Sequence, residues 1–250
     1  MSIKKYRLFI TSLLVTAILV VAKYVLHEMH LEVIALGSLH SSVVAGTFFV
    51  IGFLLSTTMA DYKESERIPS EFASIVENMY EDAYSIYRNY PKFDFVSFKD
   101  QLKKITTAFG NDVRYQKNTT NLQLHRLSDN FAEMEKIGVP PNFVVKLKQQ
   151  QAQLIKSLFR VNYIQRITFI PSATILAYSI VTLTIGLILF TEIEPFIGGM
   201  LMTTGISFIL IYILQLIQVI KTPFHGAGKT QDDVSLFLVD QTAQHLKKKR

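Results

Sequence analysis

Four stretches of the chain are almost free of acidic and basic side chains: residues 8–26, 41–60, 172–190 and 196–220. An α-helix rises about 1.5 Å per residue, so about 20 residues cross a ~30 Å hydrocarbon core. Each stretch is therefore expected to be a transmembrane helix. Lys23 is the one charged residue inside them, and its place near the far end of the first span would let its ammonium snorkel toward the headgroups. Lys4, Lys5 and Arg7 precede that span, which makes a signal peptide the competing reading. The apolar run is long and no Ala-x-Ala site follows it, so a retained span is expected.

Residues 61–170 have a different pattern. They are polar, with apolar positions returning at a helical period. Phe72, Ile75, Val76, Met79, Tyr80, Ala83, Ile86 and Tyr87 predict a helix over 70–90, opened by Pro69 and Ser70 with Glu71 in its first turn and stopped at Pro91. A second helix is expected over 97–109, ending at Gly110-Asn111. Two more, over 120–137 and 142–170, are divided by Gly138-Val139-Pro140-Pro141. The last should break at Pro171, which disfavours a helical residue before it. No alternating strand pattern stands out. The expected fold is an all-α polytopic membrane protein with four transmembrane helices and a helical cytoplasmic domain. Its parts are a hairpin over 1–60, a helical domain over 61–170, a second hairpin over 171–220 and a tail over 221–250.

Charge gives this scheme an orientation. Residues 61–170 hold sixteen Lys and Arg against thirteen Asp and Glu, whereas the short loops 27–40 and 191–195 hold no Lys or Arg. The tail ends in Lys247-Lys248-Lys249-Arg250. Positive residues favour the cytoplasmic side, so both termini and the insert are expected there, in a multi-pass protein of the cell membrane. The net charge of +6 then points to an anionic leaflet surface rather than to nucleic acid. The absence of cysteine excludes disulfides, thiolate metal sites and cysteine nucleophiles.

Candidate chemistry concentrates on the second span. Ser41, Ser42, Gly46, Thr47, Gly52, Ser56, Thr57 and Thr58 give it small and hydroxylated positions, which let helices approach closely. Ala45, Phe49 and Phe53 follow one another at four-residue steps on one face. Contributed by several copies, they would form a hydrophobic constriction that gates by dewetting. Aromatics facing lipid or a neighbouring helix are the alternative. Asp61, Glu64 and Arg67, with Lys63 and Glu66, follow this span and would form charged rings at a pore mouth, or simply a solvated helical turn.

Other motifs carry less. His27-Glu28-Met29-His30 spaces its histidines too closely for a zinc-protease helix, even with His40 as a possible third ligand. Gly226-Ala227-Gly228-Lys229-Thr230 lacks the upstream glycine and strand of a phosphate-binding loop. Asn118-Thr119-Thr120 is a glycosylation sequon placed on the cytoplasmic side, where it would go unused. No arrangement of catalytic residues and no cofactor site is expected. The central parts of the spans lack Asp, Glu, Arg and His, which argues against a proton-coupled transporter.

Three segments resemble the bestrophin channels in order along the chain. Phe49-Val50-Ile51-Gly52-Phe53 followed by Ile68-Pro69 is similar to that family's pore-neck helix, with its phenylalanines around a glycine and its Leu-Pro. Thr168-Phe169-Ile170-Pro171, then Ala177-Tyr178, resembles the Thr-Pro-Ile-Pro segment before the third span of bacterial members. Thr222-Pro223-Phe224, Asp232-Asp233 and Leu238-Val239-Asp240 resemble the family's Pro-Phe-Gly, acidic cluster and Val-Asp. The chain departs from the family in having no Trp and in reading Pro223-Phe224-His225-Gly226.

The resemblance implies a distant prokaryotic-type member, a homopentamer around a central pore conducting small monovalent ions, with anions favoured. Its neck would be Ala45, Phe49 and Phe53, and its structural positions Gly52, Pro69, Pro171, Pro223 and Phe224. It also brings forward Asp232 and Asp233 as Ca²⁺ ligands. Two carboxylates fall short of the roughly six to eight oxygens that Ca²⁺ takes, so no tight metal site is expected. A non-conducting membrane scaffold or signalling protein, binding partners through its cytoplasmic helices, is the competing function.

Overall fold

In the computed structural model, which describes residues 6–166, 171–224 and 233–248, the chain divides into two units. The first contains α1 (Arg7–Glu28), β1 (Ile34–Ala35), the part of α2 (Ser38–Asn89) up to Tyr62, α7 (Pro171–Leu189), β2 (Thr191–Glu192) and α8 (Phe196–Ile220). The second contains α2 from Lys63, α3 (Phe95–Tyr115), α4 (Thr120–His125), α5 (Leu127–Lys136), α6 (Pro141–Arg166) and α9 (Phe237–His245).

Among the described residues, four helices are long and apolar enough to cross a membrane: α1, α2, α7 and α8. The protein is an all-α polytopic membrane protein. In the first unit α1 packs along α8, where the Thr11 hydroxyl donates to Gln215 Oε1 at 2.7 Å. Ile51 of α2 joins Ala177 and Val181 of α7 and Leu210, Leu214 and Ile217 of α8 in a buried cluster. Thr47 and Thr184 share a buried 2.7 Å hydrogen bond across α2 and α7, so two hydroxyls satisfy each other away from water. The strands are a single parallel pairing of Ile34 with Thr191 and Ala35 with Glu192, which ties the two short loops together.

The second unit is built on aromatic and aliphatic residues at helical spacing. Phe72 of α2 stacks on Phe109 of α3 with centroids 3.7 Å apart, and Val76, Met79, Phe98, Leu102 and Ile105 are fully buried. Asp94 caps α3 by accepting from the Ser97 N–H at 2.9 Å. The turn into α4 is held by Asp112. Its buried carboxylate accepts from the backbone N–H groups and the hydroxyls of both Thr119 and Thr120, at 2.6–3.0 Å. The Thr120 hydroxyl of the sequon is thus buried and engaged. Asp112→Ala should lower stability by about 2–4 kcal/mol, because it strands buried donors that a charged acceptor had satisfied. The expected result is a lower unfolding midpoint for the full chain in detergent, and an unchanged midpoint would show this turn to be dispensable.

Several expected boundaries move. Pro69 does not open a helix; it lies buried inside α2. A proline there removes a backbone hydrogen bond at a typical cost of about 3 kcal/mol. The burial of Ile68, Phe72, Ala73 and Val76 on either side outweighs it. Likewise α3 continues through Gly110 and Asn111 to Tyr115, because Phe109 and Val113 extend the same buried face. The chain leaves that helix at Gln116, whose φ of +54° is left-handed. The helix expected over 120–137 is two, stepping at Arg126 without leaving helical backbone angles. Pro141 starts α6. The expected break before Pro171 falls on residues 167–170, outside the described residues, and α7 begins at Pro171 itself. Finally, α9 was not expected in the tail. Its Val239 and Thr242, with Leu246 just beyond, are buried, and Arg114 of α3 pairs with its Asp240.

Candidate functional site

The membrane part of α2 has two faces of different chemistry. One carries Phe48, Ile51, Leu54 and Leu55 and packs within the first unit. The other is not covered by its own chain. Ser41, Ser42, Ala45, Gly46, Phe49, Gly52, Phe53, Ser56, Thr57 and Ala60 are all exposed, in one stripe at helical spacing. Phe49 is 77% and Phe53 66% exposed, so neither packs against its own subunit. Nothing lies within 4 Å of where a side chain on Gly46 or Gly52 would begin.

This exposed stripe differs from those on the other spans. On α1 the exposed positions include Phe9, Leu13, Leu14, Ile18 and Val21, and on α7 Ile175, Leu176 and Leu183. Those are surfaces suited to acyl chains. Between Ser41 and Ala60 the exposed positions of α2 are Ser, Gly, Ala and Thr, interrupted by two phenylalanines, with Leu39 exposed in the first turn before them. Small and hydroxylated residues suit close helix approach or a water-filled space better than lipid.

Asp61, Glu64 and Arg67 are also exposed along α2, at three-residue steps. In the second unit the Arg160 side chain donates to Glu64 through two bonds, at 3.0 and 2.8 Å. Arg67 donates to Glu71 at 2.9 Å, one turn along its own helix. Glu64 and Arg67 therefore already have opposite charges beside them, which the sequence reading did not anticipate. Arg160 is nearly a hundred residues from Glu64, and no local spacing announces the pair.

Lys23 does not snorkel. It is 1% exposed. Its ammonium donates to the carbonyls of Ile188, Leu189 and Thr191, at 3.3, 3.2 and 2.5 Å, and pairs with Glu32. The first two carbonyls belong to the C-terminal end of α7, where groups without intrahelical partners attract a cation. Glu32 also meets His27 Nδ1 at 2.6 Å, and the His27 ring stacks on Phe196 with centroids 3.9 Å apart. Burial raises the Glu32 pKa, but the hydrogen bonds from His27 and Lys23 outweigh it and hold the carboxyl below its ordinary range. Among the described residues no group of acidic or histidine side chains is arranged to hold a metal, so His27, His30 and His40 do not form a ligand set.

No family model matches the chain, and no curated protein does. Solved structures match over almost its whole length. A bacterial bestrophin homologue from Klebsiella pneumoniae aligns with a TM-score of 0.82 at 12% identity, covering 95% of this chain and 97% of its own. A point mutant of that homologue gives the same TM-score over 98% and 97%. A structure described only as a membrane protein gives 0.80 at 13% identity over 95% and 97%. The fold is bestrophin-like.

Within this bestrophin-like fold the remaining candidates fall as follows. Pro223 and Phe224 are buried in the second unit, and the Pro223 carbonyl accepts from the Val234 N–H at 2.9 Å. That bond holds Val234 against Pro223. Asp232, like the Gly226–Thr230 segment, lies outside the described residues, and Asp233 follows it directly.

Proposed function

We propose that several copies of this chain assemble around an axis and form an ion-conducting pore lined by α2. The observation that carries the reading is the uncovered stripe of small residues with Phe49 and Phe53. A single chain gives those side chains nothing to pack on, and their surface is unlike the lipid-suited faces of α1 and α7. The bestrophin-like fold supports a homopentamer. Ala45, Phe49 and Phe53 would form its neck, and Asp61, Glu64 and Arg67 its cytoplasmic mouth. The substrates are small monovalent ions. With Glu64 and Arg67 each beside an opposite charge, the mouth offers no strong ring of one sign, and the anion preference follows only from the bestrophin resemblance.

The test has two parts. Native mass spectrometry of the detergent-solubilised protein should give five subunits, and proteoliposomes should pass chloride or potassium above the empty-vesicle rate. A monomeric particle would overturn the pore. The orientation is tested separately. Reporter fusions after Lys117 should be cytoplasmic and those after Glu194 should not, because Lys and Arg concentrate on one side of the spans. An extracytoplasmic Lys117 fusion would refute the four-span topology.

A scaffold reading draws on a different observation. On α6, Phe159 and Tyr163 are exposed and line a groove of about 1220 Å³ in the second unit, a surface able to receive another protein. An assembly with five subunits and no ion flux even when Phe49 and Phe53 are both replaced by alanine would favour the scaffold.

A further inference from the structure

At the C-terminal end of α7 every carbonyl from Leu187 to Thr191 has a donor, and most of them share one. Leu187 accepts from the Thr191 hydroxyl at 2.6 Å and Phe190 from the Ile34 N–H at 3.1 Å. Ile188, Leu189 and Thr191 accept from the Lys23 ammonium, at 3.3, 3.2 and 2.5 Å. Glu32 closes the set with a carboxylate oxygen. The ammonium therefore sits among oxygens alone, three of them main-chain carbonyls, and one carboxylate balances its charge. Lys23 and Glu32 are both buried, at 1% and 7% side-chain exposure, so the protein itself takes the place of the hydration shell.

This is the donor set of a monovalent-cation site. Carbonyl oxygens replace the water around potassium in selective pores. Divalent cations ask for more, since Ca²⁺ takes about six to eight oxygens and Mg²⁺ a near-ideal octahedron. An ammonium group and a potassium ion are close in size, so oxygens arranged for the first suit the second. The cage also has an approach. Glu32 lines an open cleft of about 520 Å³ together with Glu192, Glu194, His27 and Phe196. Carboxylates gathered in one cleft raise the local concentration of cations.

We propose that the end of α7 is a monovalent-cation site that the chain fills with its own Lys23 ammonium, and that a free potassium or ammonium ion takes its place when the side chain is shortened. In the wild type the tethered charge makes the join between α1, α7 and the loop carrying Glu32 independent of the cation outside. The reading does not depend on ion conduction.

The experiment follows thermal unfolding of the full-length protein in detergent, at neutral pH and equal ionic strength, in potassium, ammonium or choline chloride. Choline has the same charge but is too large for the cage and has no N–H to donate. The wild-type midpoint should be the same in all three salts. Lys23→Ala should unfold lower in choline chloride and recover in potassium or ammonium chloride. Well above the dissociation constant, each tenfold rise in potassium should raise its folding equilibrium constant about tenfold. Lys23→Val, which refills part of the space left by the stem, should behave in the same way. Lys23→Met should not recover, because its terminal methyl group ends beside the place of the ammonium. Combining Glu32→Gln with Lys23→Ala should abolish the recovery, since no carboxylate then balances the ion. Equal midpoints for Lys23→Ala and Lys23→Val in all three salts would overturn the proposal. So would a recovery that survives Glu32→Gln, a wild type that gains as much from potassium as the variants do, or failure of both shortened variants to fold in potassium and ammonium chloride.

Discussion

Replacing Lys23 by methionine should destabilise the membrane unit by roughly 3–5 kcal/mol, the range for removing one partner of a buried ion pair. The variant would leave the Glu32 carboxylate, itself only 7% exposed, without its cation. It would also leave the carbonyls of Ile188, Leu189 and Thr191 without a donor. Glu32→Gln should cost less, because Lys23 would keep its three carbonyls and gain an amide oxygen. The double change Lys23→Met, Glu32→Leu should cost less than the sum of the separate changes, since neither charge then stays buried alone. Thermal unfolding in detergent, followed by far-ultraviolet circular dichroism, reads all three.

The same group sets a pH dependence. The folded-state pKa of Glu32 is lowered, so its contribution is fully present above the carboxylate's ordinary value of 4.5 and is lost as pH falls through the lowered folded value. The wild-type midpoint should therefore drop on acidification through that window. In Lys23→Met the drop should shrink, because burial then favours the neutral acid. Equal midpoints for wild type and Lys23→Met at neutral pH would show that the buried pair contributes nothing.

The spans were readable because a bilayer demands long charge-free runs, and such runs leave a plain trace in the sequence. The partners of Lys23 leave none. Three are backbone carbonyls more than 160 residues away, and any residue supplies a carbonyl. Only Glu32 had an identity to find, and it stood in a short loop whose structure the sequence did not suggest. At Pro69 a sound local rule gave the wrong answer, since proline usually starts or stops a helix and here buried neighbours on both sides carry the helix through. Gly110 misled in the same way. Its lack of a side chain serves packing instead, for a Cβ there would lie 3.2 Å from the Arg114 guanidinium and 3.7 Å from Val239. Those contacts join α3 to α9, a helix of nine residues too short to stand out by periodicity. The α2 stripe was half legible. Four-residue spacing placed Ala45, Phe49 and Phe53 on one face, but only the packing of Phe48, Ile51 and Leu54 showed that this face is left uncovered.

The largest functional effect should come from emptying that stripe of its aromatic rings. With copies of Phe49 and Phe53 around one axis, water in the neck would lose hydrogen bonds that phenyl groups cannot replace. An ion entering would leave part of its hydration shell behind, so the resting pore should conduct little. Alanine at both positions removes two rings from every copy and widens the constriction enough for water to persist. A fall in the barrier of only about 1.4 kcal/mol already gives tenfold in rate, so flux into proteoliposomes should rise about tenfold or more. Assembly should survive, because Phe49 and Phe53 make little contact within their own subunit, being 77% and 66% exposed. Phe48 packs inward, and Phe190 lies at the end of α7, so alanine at those two sites should change flux less. Subunit count and flux must be measured on the same preparations. If Phe49→Ala, Phe53→Ala assembles as the wild type does and its flux stays at the empty-liposome level, the exposed stripe is a contact surface rather than a conduction path, and the scaffold reading takes its place.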